Sequence, residues 1–292
     1  MLKGLMVVNA FLRTTKFDDL YHTLLASAAG VGMALDVATN AELCCVVNTP
    51  DFDASAYDFV LFWDKDVQLA MQLEARGMRV FNSAQSILWC DDKALTYLKL
   101  KEAGIPTAPT ILAPKTFPGI GYTDLTFLEQ AADQLGFPMV VKECFGSFGQ
   151  QVYLVHTMEE LREKVTAMAG TPLLFQKLIA ESYGRDVRVN VVGGRVAASM
   201  LRMSTDGDFR SNLTRGGAME KWQATPEQEA AALAAVKALE LDFAGVDVMF
   251  GNDGPIICEV NSNAHFKTTL ECTGVNMADE IMRYIAGKLV EA

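Results

Sequence analysis

Residues 243–266 read FAGVDVMFGNDGPIICEVNSNAHF, and the fold turns on this stretch. Two apolar, β-prone runs flank Asn252-Asp253-Gly254, a turn composition, so the segment reads as an antiparallel hairpin. Each run carries a carboxylate, Asp247 in the first and Glu259 in the second. Asn261 follows Glu259 by two positions and shares its strand face. In a paired hairpin all three side chains converge on one place. Carboxylate and amide oxygens form a hard-ligand set suited to magnesium or manganese, with nucleotide phosphates completing the coordination. Their apolar neighbours weigh against two edge carboxylates that merely sit in water.

Working outward, DVRVNVVGGRVAASMLR (186–202) reads as two antiparallel strands joined at Gly193-Gly194. TPEQEAAALAAVKAL (225–239) is a helix with Thr225 as N-cap, Pro226 at its first position and Gln228 at its third. A last helix spans about 276–290. Upstream, FPMVVKECF (137–145) is a strand running into a hairpin, and PLLFQKLI (172–179) is another strand. Thr157 and Glu160 form a capping box. Helices are expected near 124–136 and over 91–104, the second closed by Gly104. The first part differs: strands at 4–9, 34–39, 58–63 and 79–82 alternate with helices at 17–30 and 66–76, which implies a parallel sheet. The expectation is an α/β unit over residues 1–88 and a mixed α+β remainder, without internal repeats.

The chain has 292 residues, half of them hydrophobic, so it can bury a substantial core. Its net charge of −11 argues against nucleic acid or an anionic membrane as partner, although a local basic cleft fits inside that total. The N-terminal apolar run is broken by Asn9 and Arg13, and no stretch reaches eighteen apolar residues. The six cysteines lack C-x-x-C spacing and are expected reduced and buried, in a cytoplasmic protein.

Lysine and arginine embedded in apolar strands need anionic partners. Lys142 follows Met-Val-Val, Arg188 alternates with valines, and Lys93, Arg202, Arg210 and Arg215 complete a cationic set for which phosphates are the natural partners. The loop FGSFGQQ (145–151), with Gly146, Ser147 and Gly149, would let backbone N–H groups approach phosphate oxygens. Neither common nucleotide fingerprint is present, and read alone such a loop is more often just a turn. Histidines 22, 156 and 265 lack metal spacing. His265, after the asparagines, is a candidate for substrate contact, and Cys144 and Cys258 read as small hydrophobes.

Together these pieces resemble the ATP-grasp ligases, in their RimK-type branch. DDKALTYLKLKEAGIPTAPT is similar to the helix that opens that domain, FPMVVKECFGSFGQQVYLV to its nucleotide clamp and FQKLIAESYGRDVRVNVVGGRVAA to its adenine hinge and ribose strand. DGDFRSNLTRGG resembles the substrate loop, and the opening hairpin the metal site. The resemblance covers about residues 88–290. It implies a three-subdomain ATP-grasp fold: a pre-ATP-grasp unit at 1–88, a lid subdomain at 89–175 and a C-terminal subdomain at 176–292. It also implies that Lys93 and Lys142 contact ATP phosphates and that Gln176, Lys177, Leu178 and Ile179 read adenine. Asp186, or alternatively Glu181, is then the ribose-side acid, and Asp247, Glu259 and Asn261 hold about two magnesium or manganese ions. Arg202 would face an acyl-phosphate, with Arg188, Arg210, Ser211, Asn212, Arg215 and Asn263 at the phosphate and substrate end. The implied activity is ADP-forming carboxylate–amine ligation, with glutamate or a related amino acid as amine and a small molecule, peptide or protein as acceptor. A homo-oligomer is usual for the family. The alternative is a non-catalytic ATP-binding module. After Asn261 the chain reads Ser-Asn-Ala-His-Phe-Lys, where ribosomal-protein glutamate ligases read Ala-Ser-Pro-Gly. It is nearer there to relatives that load amino acids onto an acidic carrier protein, which the net charge disfavours.

Overall fold

In the computed structural model, which describes residues 1–12, 14–44, 46–47, 53–147, 149–211 and 216–290, the N-terminal strands form a parallel sheet. Strands β1 (Lys3–Val8), β2 (Ala34–Thr39), β3 (Phe59–Trp63) and β4 (Val80–Phe81) lie in the order β2-β1-β3-β4. Helix α1 (Thr15–Gly30) packs on one face and α2 (Val67–Ala75), capped by Asp66, on the other. Both crossovers therefore leave the C-terminal ends of β1 and β3 toward opposite faces.

The helix expected over 91–104 is present, and a helix that was not expected, α3 (Ala84–Asp91), comes directly before it; between them Asp92 turns its carboxylate onto the N–H groups of Ala94 and Leu95, starting α4 (Lys93–Glu102). The second of two adjacent aspartates thus acts as an N-cap.

A second sheet, antiparallel, takes β5 (Thr110–Leu112), β6 (Met139–Glu143), β7 (Val152–Val155) and β8 (Leu173–Lys177) in the order β5-β8-β6-β7. Helices α5 (Thr126–Leu135) and α6 (Met158–Ala167) cover one face through Met139, Val141 and Phe175. Alternation leaves Val140, Lys142 and Gln176 on the open face. Thr157 caps α6, but Glu160 reaches back to the N–H of His156 rather than to that of Thr157.

The third sheet joins β9 (Arg185–Val192), β10 (Arg195–Met203), β11 (Ala218–Lys221), β12 (Phe243–Gly251) and β13 (Gly254–Asn261) in the order β11-β10-β9-β12-β13. Gly193 and Gly194 take φ of 56° and 72° at the β9–β10 turn, which a two-residue hairpin of matching twist requires. Helix α7 (Pro226–Ala238) begins with the full capping box of Thr225 and Gln228 and lies over one face. Helices α8 (Lys267–Thr273) and α9 (Met277–Val290) follow, and α9 packs against α1 in a core shared with the N-terminal sheet. Among the described residues no helix is long and apolar enough to cross a membrane. Cys90 and Cys144 are buried as expected, whereas Cys44 is exposed.

Asn82 fastens the first sheet to the third. Its Nδ2 donates to the carbonyls of Phe243 and Ser262 at 3.0 and 3.1 Å, and its Oδ1 accepts from the N–H groups of Asp242 and Phe243 at 2.7 and 3.2 Å. The residue is fully buried, so truncation strands four backbone groups away from water. Asn82→Ala is expected to cost about 3 kcal/mol or more, read from urea unfolding.

Candidate active site

A cleft of about 470 Å³ lies between the open faces of the second and third sheets and reaches the C-terminal end of β3. That volume suits a small-molecule ligand. Its floor is written across the third sheet in register. Arg188 of β9 pairs with Met200 of β10 and Asp247 of β12, and Asp247 pairs with Glu259 of β13. Asn261 stands opposite Gly245, two positions on.

One irregularity decides which side chains reach this floor. The β12–β13 register shifts at Asp247/Val248, so Val248 opposes Ile257, Asp247 opposes Glu259, and Cys258 is the extra residue of a bulge. Ile257 lies in the core under α7 and is 0% exposed. Strict alternation would send Glu259 to the same side. The bulge turns it over, so that Cys258, Glu259 and Asn261 all line the cleft. The freed carbonyl of Cys258 accepts from Tyr97 Oη at 2.6 Å.

Lys142 enters from the opposing sheet. It is 6% exposed, with Nζ 3.4 Å from Tyr97 Oη and 3.9 Å from Cys258 Sγ. Among the described residues no carboxylate lies within ion-pair distance of it. Burial disfavours its charge, but Cys258, Tyr97 and Glu259 outweigh that and hold its pKa above the ordinary lysine range. Burial pushes the Cys258 thiol up to about 11, so it stays protonated at neutral pH. Lys93 Nζ donates to the Gly146 carbonyl at 2.9 Å and lies 3.5 Å from Glu259.

The two arginines embedded in strands have the anionic partners expected of them, but these are aspartates of the chain itself, where phosphates had been the natural candidates. Arg188 holds both oxygens of Asp247. Arg202 holds both of Asp186 at 2.6 and 2.7 Å and also reaches Asp247 at 2.9 Å. Burial alone would raise the Asp247 pKa, but Arg188 and Arg202 bring it below the ordinary aspartate value. Ser211 Oγ completes the network by donating to Asp186 at 2.6 Å.

Arg210 lines the cleft with its guanidinium clasped by Asp208 at 2.7 and 2.9 Å, and it donates to the carbonyls of Gly149 and Val152 at 2.8 and 3.0 Å. It thereby ties the 204–211 segment to the glycine loop. Gly146, Ser147, Gly149, Gln176, Lys177, Leu178, Ile179, Asn263 and His265 also line the cleft, whereas Glu181 stands outside it, bonded to Asn252. Asn212 and Arg215 lie outside the described residues. Sequence reading missed Lys16, Trp63 and Lys65, which the first sheet and α1 bring to the cleft. An aromatic closing β3 and a cation two residues after it were the available signal.

Glu259 and Asn261 fit a divalent cation. Glu259 is partly exposed, with Lys93 as its one ion-pair partner among the described residues, and the Asn261 amide N–H donates to Gly245 at 3.4 Å, leaving its carbonyl oxygen to the cleft. Asp247 stands beside them with its oxygens already engaged by arginine.

His265 sits at the far end, Nε2 3.3 Å from the Lys16 carbonyl and its ring edge-on to Phe17. Burial, with Lys16, Lys267 and Arg188 adding to it, pushes its pKa down to about 4. An unfolded histidine titrates near 6.5, so on acidification the unfolded chain takes the proton first. Stability is expected to fall between pH 6.5 and about 4. His265→Gln should flatten that part of the urea-midpoint profile, and an unchanged slope would show that the ring does not titrate there.

A model of the RimK-like ATP-grasp domain matches residues 90–285. N-acetylaspartylglutamate synthase A from Homo sapiens is 38% identical over 205 residues, covering 70% of this chain and 51% of that protein. Beta-citrylglutamate synthase B from Danio rerio is 31% identical over 276 residues, covering 93% of this chain and 64% of the other. The chain thus spans about half to two thirds of these relatives. The crystal structure of an ATP-grasp RimK-domain protein from Sphaerobacter thermophilus superimposes with a TM-score of 0.75 at 21% identity, over 97% of this chain and 99% of that one, and so shares its fold.

Proposed function

The chain belongs to the RimK-like ATP-grasp family, and from that membership and the cleft we propose that it is an ADP-forming carboxylate–amine ligase. Glutamate, or a closely related amino acid, is the amine, and a small carboxylate is the acceptor. Both relatives are named for glutamate conjugates, of N-acetylaspartate and of citrate. One observation carries the reading. In a chain of net charge −11, ten lysine and arginine side chains line the cleft against four carboxylates. A cationic surplus walled by two sheets suits a polyphosphate brought against a second anion.

In this reading Gln176 to Ile179 line the base of ATP, and the boundaries near residues 88 and 175 separate three units around it. Glu259 and Asn261, with Asp247 beside them, hold a divalent ion, which when bound neutralises phosphate charge. Lys142 and Lys93 orient the γ-phosphate toward the acceptor carboxylate, and Lys142 stabilises charge as the phosphoryl group transfers. The amine then displaces phosphate from the acyl-phosphate. The glycine loop, tied to the 204–211 segment by Arg210, keeps water from that intermediate. Coupled-assay ADP formation with ATP, magnesium, L-glutamate and a pool of small carboxylates tests this. Glu259→Ala should lower the rate by about 10²-fold or more, and wild-type rates in that variant would sink the reading.

A further inference from the structure

Strand β13, which carries Glu259 and Asn261, is the edge of the third sheet. An edge strand leaves backbone groups without a ladder partner, and where the edge is covered something else must bond them. Here α3, α4 and the residues just after them do so. The Pro106 carbonyl accepts from the N–H of Ile257 at 2.9 Å. Tyr97 Oη donates to the Cys258 carbonyl at 2.6 Å, and Cys90 Sγ donates to the Val260 carbonyl at 3.0 Å. Glu259 is thus fixed through the carbonyls on both sides of it, and the first belongs to the bulge residue that turns it toward the cleft.

The Tyr97 bond also reaches the second sheet. Its hydroxyl lies 3.4 Å from Lys142 Nζ. An ammonium has no acceptor and a carbonyl no donor, so the directions are set: Lys142 donates to the hydroxyl, and the hydroxyl donates to Cys258. The ring is 6% exposed and packs with Cys144 and Leu174. Lys93, one turn earlier on the same face of α4, lies 3.5 Å from Glu259, and its own N–H donates to the Cys144 carbonyl at 3.0 Å. Helix α4 is therefore a spacer between the two sheets. Tyr97 is the point where that spacer bonds both the lysine of one sheet and the bulge of the other.

We propose that Tyr97 is a positioning residue for the ligase reaction, its hydroxyl setting Lys142 of the second sheet at a fixed reach from Glu259 of the third. It acts through those two side chains, aligning the lysine that orients the γ-phosphate with the carboxylate that holds the divalent ion. This rests on the ligase reading and deepens it.

Tyr97→Phe keeps the ring and removes only the hydroxyl. Manganese is titrated into the protein with ADP present, and its free fraction is read by electron paramagnetic resonance. ADP formation is measured beside it with ATP, magnesium, L-glutamate and the pooled carboxylates. The variant is expected to bind manganese about threefold or more weakly and to lose about tenfold in kcat, with the KM for glutamate within about twofold of wild type. Leu100→Val, on the same helix but buried in the core under α7, is the stability control. It should lower the melting temperature while leaving manganese affinity and kcat at wild-type values. A Tyr97→Phe protein that melts lower yet keeps both values would overturn the proposal, because the hydroxyl would then serve the fold alone. Equal losses in Leu100→Val, or a fall in one readout without the other, would overturn it too. Wild type that forms no ADP with any carboxylate would overturn the ligase reading, and manganese affinity alone would then decide whether the hydroxyl sets Glu259. Wild type that binds no manganese would overturn the placement of the ion at Glu259 and the proposal with it.

Discussion

Replacing Lys142 with methionine is expected to lower ADP formation by about 10²–10³-fold while leaving the unfolding free energy at or above that of wild type. The two effects belong together. At neutral pH the phenol and thiol beside Lys142 are protonated, so among the described residues only Glu259, beyond ion-pair distance, offsets the removal of its ammonium from water. A methionine of similar length fills the space and removes that cost. The partner that would repay the burial is an anion in the cleft. In wild type, ATP with magnesium should raise the melting temperature in proportion to the logarithm of its concentration. The variant should lose most of that rise. Differential scanning fluorimetry with and without nucleotide, beside the ADP assay, reads both. A variant destabilised in the absence of nucleotide but still stabilised by it would show that Lys142 serves the fold and not the ligand.

Arg202→Met is expected to behave in the opposite way, costing about 3–5 kcal/mol of stability. Arg202 is as buried as Lys142, but its guanidinium holds Asp186 and Asp247 together. Among the described residues its removal leaves Asp186 with Ser211 alone and Asp247 with Arg188 alone, both in a buried setting. In wild type the depressed Asp247 pKa means that its contribution is present above the unfolded value near 4 and is lost as pH falls through the folded one. In the variant Asp247 should titrate higher, so the stability deficit should narrow as pH drops toward 4. Urea unfolding at pH 7 and pH 4.5 checks it. A deficit under about 1 kcal/mol at neutral pH would mean that the network is held by packing alone.

The contrast between these two cations marks the limit of what the chain discloses when read as a string. Both stand out as charges inside apolar strands, and that much is local. Whether each is paired depends on register between strands far apart in sequence, as with Arg188 and Asp247, and no periodicity reports it. Turn chemistry was legible wherever backbone geometry restricts the residue type, as at Gly193-Gly194 and at the Thr225 cap. The metal-type hairpin was legible as a pairing, but the bulge was not called. Its trace is in the pattern all the same: Ile257 and Val260, three apart, both face the core, which no regular strand allows. Strand β11 and helix α8 went unread because AMEK and KTTLECT show neither a period of two nor one of 3.6. The parts of the cleft supplied by Trp63 and Lys65 depend on docking between sheets, and Asn82, which fastens that docking, looks in sequence like the polar end of a short strand.

Helix α9 shares one core with β1, β3 and α1, so the first sheet has its α1 side sealed by residues from the opposite end of the sequence. During synthesis that face must wait, apolar and uncovered, until residue 277 and beyond have left the ribosome. The second sheet, with α5 and α6 supplied from within its own stretch, has no such wait and can condense early on local contacts. The first and third sheets are stitched late into a single block, whereas the second sheet completes its own core from its own stretch.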